Sequence, residues 1–223
     1  MPKAILIFGP PGSGKGTQAE LLERKLDAVH FDTGAWIDKV IHDPQSQSDP
    51  IIVEQKERYT KGLLADPEWV KNIVADEIKK IAKENKTIIL SGSPRTLNEA
   101  EAIIPLLEEL YGKDHIEVFV LQVRQSTSIF RNTHRRICEH CFTPLVWSEA
   151  TKDLTKCPVC GGRLITRVDD VEDKIKVRLQ QYQEETMPAI EFIRQRGFKV
   201  NEIDGEPTPE EVHKSIVAKL EVL

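Results

Sequence analysis

The 223-residue chain lacks any apolar run long enough to cross a bilayer; its longest, such as "IEVFVLQV", fall far short of the roughly 20 residues that a membrane helix needs. An excess of positive charge is also missing. With 31 Lys and Arg against 36 Asp and Glu, the net charge is −5. That argues against a general nucleic-acid binder, because duplex affinity rests on cationic neutralisation of phosphates. Met1-Pro2-Lys3 leads straight into a buried-type strand with no signal-peptide cleavage region, so the cytoplasm is the expected address and neither a membrane nor a nucleic acid is an expected partner. No internal repeat is present. Cysteine is scarce, with four residues and none outside two CxxC pairs. What remains is ordinary for a globular chain, 39% hydrophobic and 30% charged, with length for one core plus one or two inserted lobes.

Within this acidic average, arginine gathers locally at Arg131, Arg135, Arg136, Arg163, Arg167 and Arg178. An acidic protein that concentrates cations in one region suggests a small, highly charged anion held at a defined place.

Short apolar runs punctuate the chain: "AILIFG", "AVHF", "TIILSG", "IEVFVLQV" and "FKVNEID". Helical patterns lie between them, "TQAELLERKL", "EWVKNIVADEIKKIAKEN" and "NEAEAIIPLLEELYG" being the clearest. Such alternation predicts the α/β class, a parallel five-stranded sheet covered by helices on both faces. Two segments break the rhythm. "HDPQSQSDP", residues 42–50, is polar with two prolines and reads as an exposed turn inside a helical insertion. Residues 138–160 carry hairpin-like pieces without helical periodicity. The last helix, "PEEVHKSIVAKLEVL", should start after Thr208 as N-cap with Pro209 in its first turn.

In "GPPGSGKGT" the glycines let backbone N–H groups turn inward around phosphate oxygens, and the helix that follows adds its positive end. Gly12, Ser13, Gly14, Lys15, Gly16 and Thr17 form this donor loop. Lys15 supplies a mobile full charge. Gly16 has no hydroxyl where the general phosphate-loop pattern has Ser or Thr, which leaves Thr17 to face a metal–phosphate group.

"GPPGSGKGTQ", with "DTGAW", "GSPRT", "RNTHRR" and "TRVDD…VRL", resembles the adenylate kinase family of nucleoside monophosphate kinases along essentially the whole chain. The resemblance implies a P-loop core with a helical monophosphate-binding insertion and a mobile, zinc-bearing lid. The corresponding boundaries are 1–31, 66–133 and 171–223 for the core, 32–65 for the insertion and 134–170 for the lid. It also implies reversible, Mg²⁺-dependent transfer of the terminal phosphate of ATP to AMP. Relatives are commonly monomers, and some form trimers.

"CEHC" and "CPVC" each present two sulfurs, and Cys138, Cys141, Cys157 and Cys160 match the four ligands of a structural tetrahedral Zn²⁺. The alternatives are two disulfides, iron in place of zinc, or a redox dithiol. A cytoplasmic chain disfavours the first, and redox motifs usually carry one CxxC rather than two. Zinc-lid relatives place such a tetrad here, where it replaces an apolar core.

Phosphoryl transfer between two nucleotides crowds negative oxygens together, so catalysis is mostly positioning and charge neutralisation. Arg131 and Arg135, four apart, are expected on one helix face entering the lid. The resemblance gives Arg131 and Pro207 to the triphosphate nucleotide and Arg135 to a lid phosphate contact. Arg167 and Arg178 go to the transferring group, and Arg95 to the monophosphate. It places Thr33, Gly34, Gly92 and Glu99 on the acceptor side. Asp169 and Asp170 suit a cap at the positive end of the following helix, the resemblance implies that they couple lid closure to the arginines, and both readings can hold together.

Three positions depart from the family. Asp38 stands where an arginine grips the monophosphate, with Lys39 or Arg58 as possible compensation. Ser91 replaces an aspartate that orients the magnesium hydration shell, and Asp32 is a substitute carboxylate. Glu99 replaces a glutamine that reads the adenine edge, and a glutamate suits guanine donors better. The resulting expectation is an adenylate kinase, or a nucleoside monophosphate kinase with relaxed or altered acceptor base. Rival readings are a non-catalytic nucleotide-binding relative and a P-loop ATPase whose zinc ribbon grips nucleic acid.

Overall fold

Strand β1 (Ala4–Phe8) sends Ala4, Leu6 and Phe8 into one apolar cluster and Ile5 and Ile7 into another. A strand buried on both faces reads as a continuous apolar run, which is why "AILIF" shows no alternation. The first cluster is closed by α4 (Pro67–Lys83), α5 (Leu97–Tyr111) and α8 (Met187–Gln195). On the opposite face α1 (Lys15–Leu26) and α9 (Pro209–Leu220) close the second. The structure, a computed structural model, describes residues 1–141, 143–147, 151–166 and 170–220.

The remaining sheet strands are β2 (Val29–Phe31), β3 (Ile88–Leu90), β4 (Ile116–Gln122) and β8 (Val200–Asp204). All pairings are parallel, in the order β2-β3-β1-β4-β8. The chain leaves β1 for one side of the sheet and later crosses from β3 to β4 on the other. Ligand crevices of open α/β sheets form at such a switch point, beyond the carboxyl ends of the strands.

Two excursions rise from that edge. The first is α2 (Thr33–His42) and α3 (Pro50–Thr60), joined at 43–49, within the polar segment expected at 42–50. Both helices have side-chain caps, Asp32 Oδ1 accepting from Ala35 N at 3.0 Å and Asp49 Oδ1 from Ile51 N at 2.9 Å. The second begins after α6 (Gln125–Thr133) and is a small antiparallel sheet. In it β5 (Arg136–Cys138) lies between β6 (Pro144–Leu145) and β7 (Leu164–Ile165). The chain returns through α7 (Glu172–Gln181) and a π-helical turn at Tyr182–Thr186. The last helix starts as its sequence predicts: Thr208 and Glu211 form a reciprocal cap, Thr208 N donating to Glu211 Oε2 at 3.0 Å and Glu211 N to Thr208 Oγ1 at 3.4 Å.

Candidate active site

A cleft of about 1270 Å³ opens beyond β1, between the two excursions. Its floor is the loop before α1. Gly14, with φ +92°, occupies the N-cap position, and no side chain caps this helix. The first-turn amides of α1 are thereby left for an anion. Gly12 (φ +73°) packs so closely on α6 that a Cβ there would come within 2.5 Å of Asn132 Nδ2. Ser128, one turn earlier on α6, donates to Pro11 O at 2.6 Å. Ser13, Gly16 and Thr17 line the same floor.

Lys15 Nζ donates to Gly9 O and Pro10 O at 2.7 and 2.9 Å. Burial lowers its pKa to about 7, and the guanidiniums of Arg95, Arg178 and Arg135 push the same way, with Asp32 opposing. Four cationic groups from four separate segments therefore line one cleft. Such a site is built for a polyanion.

Asp170, buried, holds two of them. Arg135 Nη2 and Nε donate to its carboxylate at 2.6 and 2.9 Å in a forked pair, and Arg178 Nη1 lies 3.7 Å away. Of the two readings of Asp170, the helix cap fails: α7 has Val171 at its N-cap and no side-chain cap. Arg167 and Asp169 fall outside the described residues. Arg131 and Arg135 do not share a helical face, because α6 ends at Thr133. Arg131 turns instead to the loop after β8, donating to Gly205 O at 2.8 Å and Glu206 O at 2.9 Å. Pro207 completes that wall of the cleft.

This wall is braced by contacts that the sequence reading missed. Glu206 accepts from Arg124 N (2.6 Å), Arg124 Nη2 (3.2 Å) and Thr127 Oγ1 (2.8 Å), and the bonds from Arg124 hold its carboxyl down at about 2. Arg124 and Thr127 are an i, i+3 pair at the start of α6 next to the quoted "RNTHRR", and that spacing was the available signal. Arg136, counted among the clustered arginines, serves the small sheet, donating to Thr151 O and Leu154 O at 2.5 Å each.

On the opposite wall, Gly92 abuts the start of α2; a Cβ there would stand 3.1 Å from Thr33 Cβ and 3.2 Å from Thr33 N. Thr33 Oγ1 is buried without a hydrogen-bond partner among the described residues. Arg95 Nη2 reaches the Gly34 side of the helix, 3.5 Å from where a Cβ of Gly34 would be. Glu99 requires a correction. It is 2% exposed and does not line the cleft. It is the third helical residue of a capping box with Thr96, accepting from Ser93 Oγ (3.0 Å), Arg95 N (3.0 Å) and Thr96 Oγ1 (3.3 Å). Burial pushes its carboxyl up against those bonds. T-x-x-E before a helix was legible as this motif, and a base-reading role does not fit a carboxylate so engaged.

Asp38 lines the cleft, whereas Lys39 and Arg58 do not; Arg58 pairs with Glu54 at 3.2 Å. The proposed compensation by either is therefore corrected. Ser91 Oγ lies 2.7 Å from His30 Nε2, and burial lowers the His30 pKa. Asp32 spends one oxygen on the α2 cap.

The four cysteine Sγ atoms lie within 4.8 Å of one another, the only such group of three or more His, Cys, Asp or Glu ligand atoms among the described residues. Cys138 and Cys160 are 3.4 Å apart, Cys141 and Cys157 3.6 Å. A tetrahedral ion with 2.3 Å bonds to sulfur needs separations of about 3.8 Å. Amides of His140 and Cys141 point at Cys138 Sγ, and that of Val159 at Cys157 Sγ, all at 3.4 Å. Turned-in amides of this kind stabilise thiolates. The donor set can hold a metal ion.

Comparison with known proteins agrees with this geometry. The family model described as adenylate kinase matches residues 7–198. The adenylate kinase of Archaeoglobus fulgidus is 34% identical over 219 residues, covering 97% of each chain. That of Clostridium perfringens is 33% identical over 219 residues, 97% of this chain and 96% of its own. That of Caldicellulosiruptor bescii is 34% identical over 198 residues, 88% and 89% of the two chains.

Proposed function

The chain belongs to the adenylate kinase family, and from that premise we propose that it catalyses the reversible, Mg²⁺-dependent transfer of the terminal phosphate of ATP to AMP, giving two ADP. The observation that carries this reading is the gathering of Lys15, Arg95, Arg135 and Arg178 about one cleft, where burial first and the guanidiniums second lower the proton affinity of Lys15. Two nucleotides set end to end bring their phosphates together, and cations from separate lobes cancel the repulsion.

On this reading the loop from Gly12 to Thr17, with Arg131 and Pro207, binds the donor. Thr33, Gly34, Gly92 and Arg95 bind the acceptor, and Arg178, Asp170 and the lid residues Arg167 and Asp169 serve the transfer. No side chain acts as a covalent nucleophile, since the acceptor is itself a phosphate oxygen. Closure of the 134–170 lobe over the core of 1–31, 66–133 and 171–223, together with the insertion 32–65, would exclude water. Magnesium supplies charge neutralisation as the partner of ATP. The described residues offer it hydroxyls, Thr17 and Ser91, and the carboxylate of Asp32, hard oxygen donors that suit Mg²⁺. The cysteine tetrad suits a structural Zn²⁺, because four sulfurs leave no position for a reacting water. Glu99, engaged as a cap, lends no support to the alternative of a guanine acceptor.

The test is a coupled assay of ADP formation from MgATP with AMP, GMP, CMP or UMP. Turnover fastest with AMP is expected. ATP binding without ADP formation from any monophosphate would overturn the reading.

A further inference from the structure

The acceptor side of the cleft has one feature at odds with an anion site. Asp38 lies on α2 one turn beyond Gly34, on the same face. Gly34 adjoins the Arg95 guanidinium, so a phosphate held by Arg95 places Asp38 about 6 Å further along the helix. A carboxylate there repels phosphate, and about 6 Å from it falls short of the N–H donors of a base, which lie beyond the sugar. It is also held in position. Tyr59, from α3 across the cleft wall, donates its hydroxyl to Asp38 Oδ1 at 2.6 Å, and His42 Nδ1 lies 3.6 Å from the same oxygen. Oδ2 accepts no hydrogen bond from a described residue, and the carboxylate is about one-third exposed, 35%, in the cleft.

Among the described residues, the only other charged side chain of the 32–65 insertion that lines the cleft is Asp32, which caps α2. The cleft is also lined by Leu63, Leu64 and Tyr182, with the amide of Gln181, whose Oε1 accepts from Leu64 N at 3.4 Å. What a fixed carboxylate recognises at that distance from a phosphate is a hydrogen-bond donor. In a nucleoside 5′-monophosphate the group one sugar away from the phosphate is the ribose diol. Carboxylates read ribose hydroxyls elsewhere by accepting from them.

We propose that Asp38, oriented by Tyr59, accepts from the ribose hydroxyls of the acceptor nucleotide and makes this enzyme select ribonucleotide over 2′-deoxyribonucleotide acceptors. The inference rests on the phosphotransferase reading above and sharpens it. Asp38 is a specificity-determining residue on the acceptor, distinct from the cations that hold the phosphates. Tyr59 is a positioning residue acting through it.

The test compares kcat/KM for AMP and 2′-deoxy-AMP in the native chain, in Asp38→Ala and in Tyr59→Phe. The native chain should favour AMP by about tenfold to a hundredfold, the size of a hydrogen bond to a charged group. Asp38→Ala should bring the ratio close to one, on top of any change common to both acceptors from removing a charge that repels phosphate. Tyr59→Phe should fall between. A purely structural role for the Asp38–Tyr59 contact would lower both acceptors together and leave the ratio standing, which overturns the proposal, as does a native ratio near one. Calorimetric binding of AMP and 2′-deoxy-AMP is measured alongside. A chain that binds AMP in preference but transfers no phosphate refutes the assigned reaction and keeps the inference. A chain that phosphorylates both sugars alike refutes the inference and keeps the reaction.

Discussion

The sheet core and the cysteine-bearing lobe solve the same problem with different chemistry. In the core, every residue of β1 is buried and the two faces are sealed by helices whose apolar positions recur at helical spacing, as Val70, Val74, Ile78 and Ile81 do on α4. In the lobe the strands are two or three residues long, and its buried residues among those described are Cys138, Leu145 and Cys157, with Asp170 at its end. The core is held by area removed from water. So small a lobe has little such area, and on the zinc reading its order rests on the ion held by its four sulfurs. The difference is that one chain can carry two stabilities that respond to different agents.

The strongest way to break this contrast is to remove metal. Chelation, or Cys157→Ser, should collapse the lobe, since structural zinc contributes about 10–16 kcal/mol in small domains. Hydrogen exchange should show residues 136–165 losing protection while the strands of the core keep theirs. If both regions open together, the two stabilities are one.

The mirror experiment is Phe119→Ala in β4, a fully buried ring, which should destabilise the core by about 3–5 kcal/mol in denaturant unfolding. Metal content per chain should not change. A fall in bound metal in the folded variant would show that the lobe leans on the core.

Lys15→Met tests whether the contrast extends to function. The substitution keeps bulk and deletes one of the converging charges, and kcat should fall about 10²–10³-fold, the effect of one well-placed electrostatic group. Thermal stability should hold or rise, because a buried cation beside three guanidiniums is itself a cost.

The smallest effect is in pH. The Lys15 pKa, lowered from 10.5 to about 7, makes the unfolded chain bind more protons than the folded one between those values, so stability from this group rises with pH across that window and is lost as pH falls through 7. Polyphosphate beside the lysine reverses the preference by favouring its charged form. ATP affinity should then weaken above pH 7, by at most about tenfold per unit. Calorimetry in buffers of different ionisation heat should find a proton taken up on binding at pH 8, and none in Lys15→Met.

The core was legible in the sequence for the reason that makes it stable. Strands buried on both faces must be apolar throughout, and "AILIF", "TIILSG" and "IEVFVLQV" announce themselves. The phosphate loop was legible because glycine and lysine at that spacing have few other uses. Residues whose role depends on distant partners were harder to read. Glu99 was given to the base although Thr96, three residues earlier, marked it as half of a cap. Arg131 and Arg135 look alike on a helical wheel, yet one turns to the 205–206 loop and the other to Asp170, because the helix stops between them. The hydroxyl that holds Asp38 comes from position 59, and nothing near Asp38 in sequence points to it.

The ion pair between Arg135 and Asp170 joins the two places where the chain enters and leaves the cysteine-bearing lobe. Everything between those residues is therefore a loop closed at its base by one side-chain bridge. Such a base behaves as a socket. A different small module, a reporter or a tighter-binding finger, can be plugged in there with its ends already brought together, and the same two residues would tie it down.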